Sequence, residues 1–194
     1  MAKLYFKYGA MGSSKTATAL ITKYNYEERG MTVWLIKPSA DDRDGAQLIR
    51  SRVGLEAEAE VIAPHVDIRA LYKSRPPVDV IIADECQFMT EEQIDQLRAL
   101  VDLENLPVLC FGLRTDFLTH LFPGSRRLLE LADSITEIKT ICHCGSKATV
   151  NARLDEEGYV ITEGAQVVLG GNDRYIAMCH RCWKQHILEH RKAR

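Results

Sequence analysis

Three groups of residues in this chain have the types and spacing to do chemistry: a glycine-bearing stretch ending in Lys15 and Thr16, the acidic pair Asp84 and Glu85, and the cysteines Cys142, Cys144, Cys179 and Cys182. The first group reads YFKYGAMGSSKTATALI over residues 5–21. Gly9, Lys15 and Thr16 stand where G-x-x-x-x-G-K-[ST] requires them, and Ser14 takes the place of the second glycine. The chemistry of such a loop is phosphate binding. Backbone N–H groups along Gly9, Gly12, Ser13 and Ser14 and the positive end of a following helix converge on one point, and Lys15 adds a full charge for the terminal phosphates. Thr16 can then offer its hydroxyl to magnesium. Ser14 is accommodated if its backbone lies in the ordinary negative-φ region, since only positive φ strongly favours glycine. By itself the stretch also fits a strand-to-helix turn with an exposed lysine.

A phosphate loop needs an acidic partner at the end of a buried strand, and VDVIIADECQF over residues 78–88 supplies one. Val78, Val80, Ile81, Ile82 and Ala83 read as a strand buried on both faces, followed directly by the two acids. Asp84 is placed to hold magnesium and Glu85 to take a proton from an attacking hydroxyl. The competing reading has Asp84 as a cap and Glu85 in solvent; two motifs in one chain weigh against it.

These groups must be positioned by regular elements. Apolar or alternating runs at 3–8, 32–36, 59–62, 78–83, 107–111 and 134–141 predict strands. Residues 15–29 predict a helix that stops at Gly30, and a second helix over 90–102 opens on Thr90 with Gln93 three places on, a capping box. Strand alternating with helix predicts an α/β fold, a mostly parallel sheet flanked by helices. After Ile141 the texture changes to cysteine pairs, turns at DEEG, a GGNDRY loop and a basic helix, so a boundary is expected near residue 140: a P-loop domain over 1–140 and a small zinc-ribbon-like domain over 141–194.

Composition narrows the class. In 194 residues, 25 Lys and Arg against 27 Asp and Glu give a net charge of −2, which provides no global field for nucleic acid or an anionic membrane. No signal peptide or membrane-spanning run is recognisable, so a cytoplasmic protein is expected. Cys179-His180-Arg181-Cys182 has the C-x-x-C spacing with which two thiolates grip one zinc ion, and Cys142-His143-Cys144 can supply the other pair. Four sulfurs make a closed, structural site. His143 or His180 can stand in for one thiolate, and four unligated thiols in a reducing cytosol are the alternative. His65, His120, His143, His186 and His190 show no recurrent spacing with carboxylates and read as surface or structural.

GAMGSSKT, DECQF, GLRTDF and GGNDRY, in this order and over nearly the whole chain, resemble the type II thymidine kinases, bacterial members included. The resemblance implies ATP and thymidine as substrates, with deoxyuridine accepted, and Glu85 as general base on the nucleoside 5'-hydroxyl. It also implies Arg43, in an Asp-x-Arg element with Asp41, near the phosphates. Met11, Phe88, Leu113, Phe117 and Tyr175 match positions walling the thymine pocket, and residues 154–175 match a segment that closes over the base, with Val168 and Tyr175 contributing main-chain groups. Taken singly, Phe88 and Phe117 also fit a core role. A homotetramer is implied as well. The first cysteine pair departs from the family's C-x-x-C by being C-x-C. Two other classes remain open: a nucleic-acid-dependent ATPase with a zinc ribbon, which salt-dependent DNA binding would reveal, and a nucleotide sensor that binds without phosphoryl transfer.

Overall fold

The computed structural model describes residues 1–41, 47–166 and 175–193, with side chains through residue 189. Its centre is a six-stranded sheet built from β1 (Leu4–Tyr8), β2 (Val33–Pro38), β5 (Glu60–Ile62), β6 (Val80–Ala83), β7 (Val108–Gly112) and β8 (Ser134–Glu137). The strand order is β5-β2-β6-β7-β1-β8, and every pairing is parallel. The apolar runs of the inner strands follow from burial on both faces. Along β6, Ile81 and Ala83 join one apolar cluster while Val80 and Ile82 join the other, as the two-residue period of a strand demands.

One face is covered by α3 (Glu91–Glu104) and α4 (Pro123–Leu131), which bury Ile94, Leu97, Leu100, Val101 and Leu128 against Phe6, Ile81 and Cys110. The Thr90–Gln93 capping box is formed and fixes where α3 starts. The other face is covered by α1 (Lys15–Glu27), through Ala19 and Leu20, together with a hairpin of β3 (Leu48–Arg50) and β4 (Glu56–Glu58) that contributes Ile49. Gly30, just past α1, holds φ 77, the left-handed conformation expected of it.

The six sheet strands fall on the six predicted runs, with β8 ending earlier than the run over 134–141. The hairpin β3–β4, the short helix α2 (Ile68–Lys73) and α4 were not predicted. Beyond β8, β9 (Val150–Arg153) and β10 (Tyr175–Met178) pair antiparallel and α5 (His180–Ala193) follows. This part has its own small core, in which Cys142, Cys179 and Cys182 pack with Ala148, Ala152, Val160 and Met178.

Candidate active site

The site is assembled at the carboxyl ends of β1, β6 and β7, where ligands of open parallel sheets bind. With β7 between β1 and β6, the loops after those two strands face each other across one strand's width, about 10 Å. β1 leads into the loop Gly9–Ser14. A Cβ on Gly9 would collide with the Ile138 carbonyl oxygen and Ser13 Oγ, so this first motif position admits only glycine. Lys15 is buried and folds its ammonium back on the loop, donating to the Ala10 carbonyl at 2.9 Å and to Ser13 Oγ at 3.4 Å.

Ser14 departs from expectation. It does not lie at negative φ but holds φ 60 and ψ 27, the left-handed region that the motif's usual glycine reaches without strain. Its side chain makes no capping hydrogen bond, so the first-turn amides of α1 have no side-chain acceptor at Ser14 and are available to an anion.

At the end of β6 the backbone turns sharply. Glu85 also takes a left-handed conformation, φ 50, and leads into a single 3-10 turn, Cys86–Phe88. Asp84 is buried, and its Oδ1 has no hydrogen-bond partner among the described residues. Burial first, and the adjacent Glu85 charge second, raise its carboxyl from an ordinary 3.8 to about 7, against the Thr16 hydroxyl and Lys15, which favour the anion. An orphaned buried carboxylate oxygen beside the Thr16 hydroxyl is a donor set that suits a divalent cation. Gln87 then ties the acid to the neighbouring strand. Its Nε2 donates to Glu85 Oε2 at 2.5 Å, and its Oε1 accepts from the Leu113 amide at 2.9 Å. That approach is why position 112 is glycine: a Cβ there would stand 2.6 Å from Gln87 Oε1.

A cavity of about 450 Å³ opens between these loops, walled by Met11, Gly12, Ser14, Lys15, Thr16, Glu85 and Leu113, with residues 50–53 of the β3–β4 hairpin closing the far side. The structure thus brings together the loop, the proposed base and two of the expected pocket residues. Phe88, half-buried and edge-on to Phe122 at 5.6 Å, lies outside these walls. So do Phe117, buried beneath the Arg153 guanidinium at 4.6 Å, and Tyr175, which pairs with Arg153 across β9–β10. Arg43, Val168 and the GGNDR of the late motif fall outside the described residues.

Two participants were not singled out in the sequence. Gln87 stood inside the DECQF motif without a role. Asn151, buried on β9, accepts from the Met11 amide at 2.8 Å and donates to the Thr115 carbonyl at 2.8 Å, bolting the cysteine-bearing part to the phosphate loop. Its signal was a single amide in the short stretch ATVNA, alongside Thr149.

The four cysteine sulfurs lie within 4.8 Å of one another, so the C-x-C pair does bring both Cys142 and Cys144 to the cluster. Cys144 Sγ and Cys179 Sγ are 3.7 Å apart, close to the edge of about 3.8 Å of a tetrahedron with zinc–sulfur bonds of about 2.3 Å. The Cys182 amide donates to Cys179 Sγ, and hydrogen bonds from Ser146 lower the Cys144 thiol to about 6, toward the thiolate that binds metal. These residues could hold a metal ion, closed on all four sides.

A parallel sheet whose first strand feeds a phosphate loop and whose buried β6 ends in an acidic pair defines a P-loop nucleotide-binding protein, here with a cysteine-rich appendage. The family model of the thymidine kinases matches residues 2–183. Curated relatives described as thymidine kinases include proteins of Vibrio cholerae, 47% identical over 189 residues (95% of this chain and 98% of that protein), and Idiomarina loihiensis, 45% identical over 188 residues (95% and 97%). A third, from Yersinia pseudotuberculosis, is 45% identical over 190 residues, 96% of this chain and 97% of its own. The chain belongs to the thymidine kinase family.

Proposed function

We propose that the chain transfers the γ-phosphoryl group of ATP to the 5'-hydroxyl of thymidine, and of deoxyuridine, giving thymidine monophosphate for salvage into DNA precursors. The observation that supports this best is that Glu85 and the phosphate loop wall one cavity. Loop amides and Lys15 bind the triphosphate; Thr16 and Asp84 would hold magnesium, whose charge neutralises the phosphate oxygens. Glu85, oriented by Gln87, accepts the proton of the 5'-hydroxyl as its oxygen attacks phosphorus and the ADP oxygen leaves. Met11 and Leu113, which line the cavity, would contact the base, and the family resemblance adds Phe88, Phe117, Val168 and Tyr175 to its pocket and Arg43 to the transferring charge. Residues 1–140 are the ATP-binding unit, and residues 141–194 are the zinc-holding, base-covering unit. Among the described residues no helix is long and apolar enough to cross a membrane. The cytoplasm as its compartment and a homotetrameric assembly belong to the same proposal. A net charge of −2 gives a nucleic-acid-dependent ATPase little support.

Incubation with ATP, magnesium and, in turn, thymidine, deoxyuridine, deoxycytidine and deoxyadenosine should yield monophosphates of the first two. Glu85→Gln should lower turnover by about a hundredfold with ATP affinity retained. No thymidine monophosphate from the wild-type chain would overturn the reading, and undiminished turnover in the variant would move the base elsewhere.

A further inference from the structure

The β3–β4 hairpin is part of the cavity wall although no motif marks it. It is rigidly attached to the helix whose amino end receives the phosphates. Ile49 and the adjoining Ala59 pack with Ala19 and Leu20 of α1, and the fully buried Lys37 donates to the Leu48 carbonyl at 2.9 Å. The turn itself is fixed by the Ser51 amide donating to the Leu55 carbonyl at 2.8 Å, the Leu55 amide to Ser51 Oγ at 2.9 Å and the Gly54 amide to the Ser51 carbonyl at 3.0 Å. Gly54 holds φ 87 there.

This turn carries two arginines into the wall that faces Gly12, Ser14, Lys15, Thr16 and Glu85. They are not equivalent. Arg50 is held by Glu56, with Nε 3.1 Å from Oε2. Arg52 is exposed and has no hydrogen-bond or ion-pair partner among the described residues. A guanidinium is always charged and presents a planar fork of donors that matches phosphate oxygens. The cavity wall, with Glu85 in it and Asp84 behind it, also needs positive charge to accept a triphosphate.

We propose that Arg52 is a nucleotide-binding residue, delivered by the β3–β4 turn across the cavity from the phosphate loop to hold the phosphates of the donor nucleoside triphosphate. The inference rests on the kinase reading above and adds to that site a residue on a different element. Because Arg52 binds phosphate and not the nucleoside, its loss separates the two substrates. A charge-assisted contact of this kind is worth about tenfold in affinity or more.

The test is calorimetric titration of the full chain with MgATP, alongside KM for ATP and for thymidine, in wild type, Arg52→Gln and Arg52→Lys. Arg52→Gln should weaken MgATP binding and raise KM for ATP by about tenfold, with KM for thymidine within about twofold of wild type; Arg52→Lys should fall between. Equal MgATP affinity in wild type and Arg52→Gln would overturn this inference and leave the kinase reading standing. A rise confined to KM for thymidine would overturn it as well. A wild-type chain that binds no MgATP would overturn both.

Discussion

Ser14 sits in a conformation that disfavours any side chain by about 1 kcal/mol, and it does so at the loop position where the motif asks for glycine. The loop and the first turn of α1 hold Ser14 there, with Lys15 Nζ bonded back to the Ala10 carbonyl. Ser14→Gly should therefore keep activity and raise the thermal midpoint by about 1–3 °C, the relief of strain being partly offset by glycine's larger unfolded-state entropy. A lower midpoint would mean that the serine makes a stabilising contact instead. At this scale the sequence is informative about identity and silent about angle. Gly9, Lys15, Asp84 and Glu85 were legible because each chemistry demands a residue type at a spacing. The positive φ of Ser14 and Glu85 was not, because the closure of two loops around one cavity imposes it.

Elements were legible where burial is two-sided. The runs of β6 and β7 are apolar on both faces, those of β1 and β2 nearly so but for Lys7 and Lys37, and the capping box marks the start of α3 by itself. The β3–β4 hairpin was not legible, since β3 is only Leu48–Arg50 and β4 turns inward no side chain larger than alanine, Ala57 between Glu56 and Glu58, too short and too weakly apolar to mark a strand. Between elements, the sheet edge is clasped to α3 through Asp133, whose Oδ2 accepts the Leu4 amide at 2.8 Å and Arg98 Nη1 at 2.6 Å. The Leu4 amide foremost, and Arg98 behind it, hold this carboxyl below its ordinary 3.8. A carboxyl that is more acidic folded than unfolded stabilises above its unfolded pKa, and that contribution fades as pH falls through the folded value. Asp133→Asn should thus cost about 0.5 kcal/mol at neutral pH, the size of a solvent-screened pair, and the gap from wild type should narrow as pH falls below the ordinary 3.8. Denaturant midpoints of both proteins from pH 7 down to 2.5 measure this; a gap constant with pH would assign the loss to packing.

Over the whole molecule, the phosphate loop and the cysteine cluster are joined through one short path. The cluster anchors the start of α5 at Cys179 and Cys182 and the turn at Cys142–Cys144, and β9–β10 spans between them. Asn151 on β9 then holds the Met11 amide within the phosphate loop. Among the described residues, seven buried side chains, three of them cysteines, with Leu154, Ile176, Trp183 and Ile187 against them, make a small core, so a metal ion in the four-sulfur site would add much of this part's stability. Protein purified without added zinc should contain about one zinc per chain. Chelation should unfold the carboxy-terminal part before the sheet, visible as earlier proteolysis beyond residue 140, and, on the proposed reading in which that part covers the base, should weaken thymidine binding more than ATP binding. Asn151→Leu, which removes both hydrogen bonds but leaves the sulfurs in place, should retain zinc and yet weaken thymidine binding, which separates the path from the metal. Full activity without bound metal and with four freely titrating thiols would show that the cluster stabilises nothing the reaction uses.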